Sequence, residues 1–392
     1  MPSKARTKIV NVAVLQGDAF LQQGMVLLKE GKIEYVGPER NLAAEQVIDG
    51  RGAALVPGFI DLHVHGGAGH DFMDLQPEAV DAICQFHARH GTTSLLATTM
   101  TAPLAKVAEV VSFYRQLLED GNKGAQVLGL HLEGPFINVK YKGAQNGDWI
   151  EPPTLANLQR VFAAAGAGLI KLITLAPELI NDEPVLEWLT QQGTIAAVGH
   201  SDLDYHGACR CLQRGLSHAT HLGNAMRGFH HRNIGVIGLV MEQPALTFDI
   251  IADGIHISPE LIRLLVRICP LEQMMLITDA MRACGLSDGC YELGGQTVQV
   301  RGMEARLADG TLAGSLLTLD RALANLIRFS GLPLAKAVQL LTLNQARKLG
   351  IAAQKGSIAA GKDADLVLLS DDLRVRATWV MGELVYQEWD LR

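Results

Sequence analysis

The 392-residue sequence has no apolar run approaching the ~18–20 residues that a membrane-spanning helix requires. Its opening stretch, MPSKARTKIVNVAVLQG, lacks the apolar core of a secretory signal, and a cytoplasmic location is expected. CxxC pairs are missing as well: Cys84, Cys209, Cys211, Cys269, Cys284 and Cys290 are scattered as reduced thiols would be, which argues against a disulfide framework. Cys209-Arg-Cys211 comes closest to a soft metal site but falls in a helical stretch and reads as incidental. Low-complexity tracts, blocks of like charge and long repeats are also lacking. A formal net charge of −7 argues against a nucleic-acid or anionic-membrane partner, while leaving a small anionic substrate open.

What is there is a globular composition, 48% apolar and 19% charged, long enough for a (β/α)8 barrel with an appendage. Both ends of the chain read as short strands. Near the N-terminus, Glu30-Gly31-Lys32 sits as a hairpin turn between alternating runs, and Met381-Gly382-Glu383 does the same near the C-terminus. Between them a strand-then-helix rhythm repeats. Strands are expected at 56–62, 93–99, 127–134, 170–178, 195–201, 216–223, 246–254 and 274–281, and helices at 76–90, 103–120, 181–192, 203–214, 258–268 and 318–331. Eight such strands match a closed parallel barrel. The expected fold is α/β: a TIM-type barrel over 58–355 inserted in a small β-sandwich domain built from 1–57 plus 356–392.

In a barrel of this type the chemistry sits at the C-terminal ends of the strands. Within VPGFIDLHVHGG, His63 and His65 alternate out of an apolar run and so point to one side. The later strand ends carry His131 and Glu133, then His200, His218 and His221, then His256 and finally Asp279. Imidazole and carboxylate recurring at one strand end after another point to a metal site. Lys171 lies near the beginning of its strand, with Glu133 already available as a bridging ligand, and reads as structural.

The segments VPGFIDLHVHGG, GLHLEGPFIN, VGHSD, HATHLGNAM, ADGIHI, ITDAM and ADGTLAGSLLTLD occur in an order that resembles the N-acetylglucosamine-6-phosphate deacetylases of the amidohydrolase superfamily. The resemblance covers nearly the whole chain. It implies deacetylation of a hexosamine 6-phosphate, with Glu133, His200 and His221 binding a principal divalent ion. His63 and His65 would add a second ion, giving one or two per subunit, with zinc expected first and iron, manganese or cobalt accepted by such donors. Asp279 is implied as the proton-transfer residue. Asn224, Ala225 through its amide, His256 and Arg232 are implied for the phosphate, with Arg232 reaching in from the other subunit of a homodimer. Two departures border the substrate pocket. Gln145 stands where many relatives carry a histidine that helps to hold the substrate, and Arg232-Asn233-Ile234-Gly235 replaces a common REPG. The alternatives are the galactosamine epimer, another N-acyl or cyclic-amide substrate, and a non-catalytic scaffold that keeps the barrel; the complete ligand set from His63 to Asp279 weighs against the last.

Overall fold

The computed structural model describes residues 6–181 and 183–388; residues 1–5 of the N-terminal segment, residue 182 of the 181–192 helix and residues 389–392 lie outside it. Eight parallel strands form one sheet in strict chain order. They are β1 (Phe59–Val64), β2 (Thr92–Thr98), β3 (Gln126–Glu133), β4 (Ile170–Leu175), β5 (Ile195–Val198), β6 (Leu216–Ala219), β7 (Thr247–Ile251) and β8 (Met274–Ile277). β1, β2 and β8 are buried along their whole length, as strands covered on both faces must be. The sheet closes just beyond β8, where a parallel bridge joins Val64 to Ala280 and the Asp279 amide donates to the His63 carbonyl at 2.8 Å. That closure places the first and last groups of functional residues side by side.

The expected helices are present at Pro77–Ala88, Leu104–Asp120, Val185–Gln191, Tyr205–Gln213, Pro259–Ile268 and Leu319–Ser330. Their boundaries follow local chemistry. Asp204 and Ser258 cap two of them through side-chain oxygens, and Gly331 ends another in a left-handed conformation. Unanticipated were the short helices Leu155–Phe162 and Gly235–Glu242, and a three-stranded antiparallel excursion after β8. The excursion runs through Gly289–Leu293, Gln296–Arg301 and Glu304–Arg306, turns on Gly294-Gly295, and folds over the mouth of the barrel.

Strands from both ends of the chain make the second sheet. Its order is Glu383–Gln387, Val375–Val380, Leu366–Leu369, Ala54–Pro57, Thr7–Gln16, Ala19–Lys29 and Lys32–Pro38, with Gln46–Asp49 also beside Thr7–Gln16. Both anticipated turns are in place between their strands. The sheet forks: Thr7–Val10 pairs with Gln46–Asp49, whereas Ala13 and Val14 pair with Ala54 and Leu55 past two bulges. Side chains of both branches, among them Ile48 of one and Leu55, Leu366 and Trp379 of the other, share one core with Val14 and Val26. Among the described residues, no helix is long and apolar enough to cross a membrane.

Candidate active site

Five side chains from four strand ends converge on the carboxylate of Glu133, at the end of β3. Its Oε1 lies 3.1 Å from His200 Nε2 (after β5), 3.0 Å from His221 Nε2 (after β6) and 3.4 Å from His63 Nε2. Its Oε2 lies 3.2 Å from His65 Nε2. Asp279 Oδ1 stands 3.5 Å from His63 and 3.3 Å from His65. All six residues are buried. Glu133 therefore has an imidazole pair on either side.

Local backbone chemistry makes this convergence possible. His63 and His65 share a side by the two-residue period of a strand. His200, His221 and Asp279 sit at φ of +49°, +33° and +50°, a left-handed conformation that non-glycine residues seldom adopt. Each turns the chain sharply at a strand end, and such strain concentrates at functional sites. Gly134 follows Glu133 at φ +73°, and a Cβ there would come within 2.1 Å of the Thr101 hydroxyl.

The donor set fits a divalent cation on each side of Glu133. His63, His65 and Glu133 bring three ligand atoms within 4.8 Å of one another, and Glu133, His200 and His221 do the same. Within each pair the imidazole Nε2 atoms are 3.2 Å apart, a spacing that suits a shared cation. His200 Nδ1 bonds the Tyr141 carbonyl at 2.9 Å, which leaves Nε2 for the site. The Nδ1 atoms of His63, His65 and His221 have no protein partner, so packing orients these rings, with His63 edge-on to His131 at 4.5 Å.

Charge distribution agrees with this assignment. Burial opposes a charged His65, but hydrogen bonds to Asp279 and Glu133 outweigh it and push its pKa up to about 10. His221 is likewise raised against burial, by Glu133, to about 9. Burial would raise Glu133, yet the surrounding imidazoles hold it well below the usual carboxylate range, and His63 and His65 lower Asp279 in the same way. Protons and a metal ion thus compete for the same nitrogens.

A cavity of about 330 Å³ opens over the cluster. Asn224, Ala225 and His256 line it, as do Met100 and Gln145, the last against Glu133. His256 is tied through Nδ1 to Asp253 at 2.6 Å, so its Nε2 is the nitrogen left for a ligand. Gln145 is placed differently from a substrate-facing group. Its Nε2 donates to Glu133 Oε2 at 2.6 Å and its Oε1 accepts from the Thr101 amide at 2.7 Å. Arg232 lies on an exposed loop beside His231 and does not line the cavity of its own chain.

The other strand-end histidines have structural partners. His131 bridges the Leu62 carbonyl and Thr174 Oγ1, and burial keeps it neutral. His218 pairs with Asp249, whose second oxygen accepts from the His221 amide at 2.5 Å. Asp249 is thus a support for His221 that sequence reading missed; it also missed Asp253, which holds His256, and the cavity-lining Leu293 and Arg306 of the excursion. Lys171 packs against Gly129 and Gly168, away from the cluster.

The amidohydrolase family model matches residues 54–385. The chain is 38% identical to N-acetylglucosamine-6-phosphate deacetylase of Bacillus subtilis, covering 96% of each. It is 34% identical to N-acetylgalactosamine-6-phosphate deacetylase of Escherichia coli O157:H7, over 95% of this chain and 97% of that one. Among solved structures, a mutant N-acetyl-D-glucosamine-6-phosphate deacetylase from Mycobacterium smegmatis in complex with N-acetyl-D-glucosamine-6-phosphate superposes with a TM-score of 0.91. It is 32% identical and spans 98% of this chain and 100% of its own.

Proposed function

The chain belongs to the amidohydrolase family, and from that premise we propose that it hydrolyses the N-acetyl group of N-acetyl-D-glucosamine 6-phosphate. The products are D-glucosamine 6-phosphate and acetate, a step of amino-sugar catabolism in the cytoplasm. The observation that carries this reading is the buried carboxylate of Glu133 with an imidazole pair on each side and Asp279 alongside, at the floor of one cavity. The substrate enters from the relatives, including the M. smegmatis structure that holds it.

Glu133, His200 and His221 would hold the principal divalent ion, zinc in our reading, and His63 and His65, with Glu133, would hold a second. When bound, such ions polarise a carbonyl and make water acidic enough to attack near neutral pH. Asp279 takes the proton of the attacking water and returns it to the departing nitrogen, so one carboxylate serves both transfers. His256, Asn224 and the Ala225 amide receive the sugar phosphate. Arg232, exposed and outside its own cavity, completes the phosphate site of a second subunit in a homodimer, where its planar fork can pair two oxygens. We take the barrel as 58–355 and the terminal domain as 1–57 plus 356–392, of which 6–57 and 356–388 are described.

Acetate release from N-acetylglucosamine and N-acetylgalactosamine 6-phosphates, and from the unphosphorylated sugars, tests this assignment. The expected result is turnover of the glucosamine compound with the highest kcat/KM. Faster turnover of the galactosamine epimer would move the chain to the second reading, which its E. coli relative supports. No turnover of any 6-phosphate sugar by metal-loaded protein would refute both.

A further inference from the structure

A second cavity, of about 230 Å³, adjoins the first at Met100, which lines both. The barrel order decides which end of a substrate meets this wall. Asn224, Ala225 and His256 follow β6 and β7, whereas Met100 follows β2, on the far side of an eight-stranded ring. A sugar phosphate anchored at the first group, with its amide over the cluster, directs its acyl tail at Met100. The side chain is 3% exposed, and its sulfur is 3.8 Å from Gln145 Nε2, beside the Glu133 carboxylate. At its other end, a Cβ on Gly294 would come within 3.0 Å of the Met100 methyl carbon. Methionine is unbranched and adaptable, a side chain suited to a movable plug.

The space behind the plug is a built site. Ala102 and Trp149 supply apolar wall. Asp71, 2% exposed, and Arg282 line it as well, and Asp71 Oδ2 and Arg282 Nε are buried without a hydrogen-bond partner. An unpaired buried polar atom is costly, and a polar ligand atom would satisfy it.

We propose that this cavity is an acyl-extension subsite and that Met100 sets the acyl length. The class of substrate is an N-acyl hexosamine 6-phosphate with a straight acyl chain longer than acetyl, a terminal hydroxyl being favoured by Asp71 and Arg282. The proposal rests on the deacetylase reading above. The chemistry is the same hydrolysis: the amide C–N bond breaks, water oxygen joins the acyl carbon, and the nitrogen leaves protonated.

The test compares kcat/KM for the N-acetyl, N-butyryl and N-(3-hydroxypropionyl) derivatives of glucosamine 6-phosphate, the last two being isosteric. Wild type should prefer the hydroxylated chain to butyryl; equal rates would remove Asp71 and Arg282 from the subsite. Met100→Ala should raise the butyryl-to-acetyl ratio about tenfold or more, the scale of discrimination a pocket shows for a methylene. Ala102→Leu, which fills the rear cavity, should lower the same ratio about tenfold while acetyl turnover persists. If Met100→Ala loses acetyl turnover too, the Ala102→Leu ratio decides. Ratios within about twofold of wild type in the active variants would overturn the proposal, whereas wild type inert towards the acetyl compound would instead refute the deacetylase reading.

Discussion

Replacing Gln145 with leucine, nearly equal in size but without polar atoms, isolates the support beneath Glu133. Gln145 is buried and makes two short hydrogen bonds, one to a charged oxygen and one from the Thr101 amide. A hydrogen bond to a charged partner is worth about 1.5–3 kcal/mol, and a buried amide left unpaired costs about 1–3 kcal/mol. The metal-free protein should therefore lose about 3 kcal/mol of stability. Freed from Gln145, Glu133 Oε2 is no longer held towards His65, so the His63–His65 site should weaken more than the His200–His221 site. Loss of a group that orients a metal ligand typically costs about 10–100-fold in affinity. Urea denaturation of chelator-stripped protein measures the first quantity, and competition with a chromogenic chelator measures the second. An unchanged midpoint together with ion affinities within about twofold of wild type would refute this account of Gln145.

Asp279→Asn keeps the shape of the side chain but cannot take a proton at neutral pH; kcat should fall by about 10²–10⁴ with metal content by elemental analysis unchanged. Retention of activity within about tenfold would assign the proton transfer elsewhere. For pH, the sign follows from His65 and His221, both raised above the ordinary imidazole value of 6.5, to about 10 and about 9. Their stabilising contribution is fully present below that ordinary value and is lost as pH rises through the raised ones, so chelator-stripped protein should lose stability between about pH 7 and pH 10. Over the same window metal affinity should increase, because the ion no longer displaces protons. A stripped-protein melting temperature that is flat or rises across that interval would contradict both statements.

The barrel and the cluster were legible because β1, β3, β5, β6 and β8 each carry their members of the cluster at or just beyond the C-terminal end. His63, His65, Glu133, His200, His221 and Asp279 need only the strand pattern and closure of the sheet to meet. Relations between loops were not legible. Gln145 falls in an irregular segment after β3, and nothing in its neighbours reveals that its carboxamide turns back to Glu133 rather than outwards to a substrate. Asp249 supports the His221 amide from the adjacent strand, a contact set by register. Gly235–Glu242 escaped notice because it is short, apolar on nearly every side and lacks a side-chain N-cap. The excursion at 289–306 did carry a signal, a Gly-Gly turn between alternating runs, although a hairpin does not belong to a strand-then-helix rhythm.

That distribution has a physical cause with a functional consequence. Residues on strand ends are placed by backbone hydrogen bonding, and the six-residue cluster is correspondingly over-determined by the barrel. The other residues named around the two cavities sit on loops, namely Asn224, Ala225, His256 and the Gly294-Gly295 turn, and loops tolerate change without disturbing the barrel. A side chain on such a loop, as Gln145 is, can therefore turn to Glu133 while every strand stays in register. Metal chemistry and substrate range are separable in this architecture: the first is carried by the sheet, the second by what the loops place over it. Differences from relatives should thus alter acyl or sugar selectivity far more readily than they alter the hydrolytic step itself.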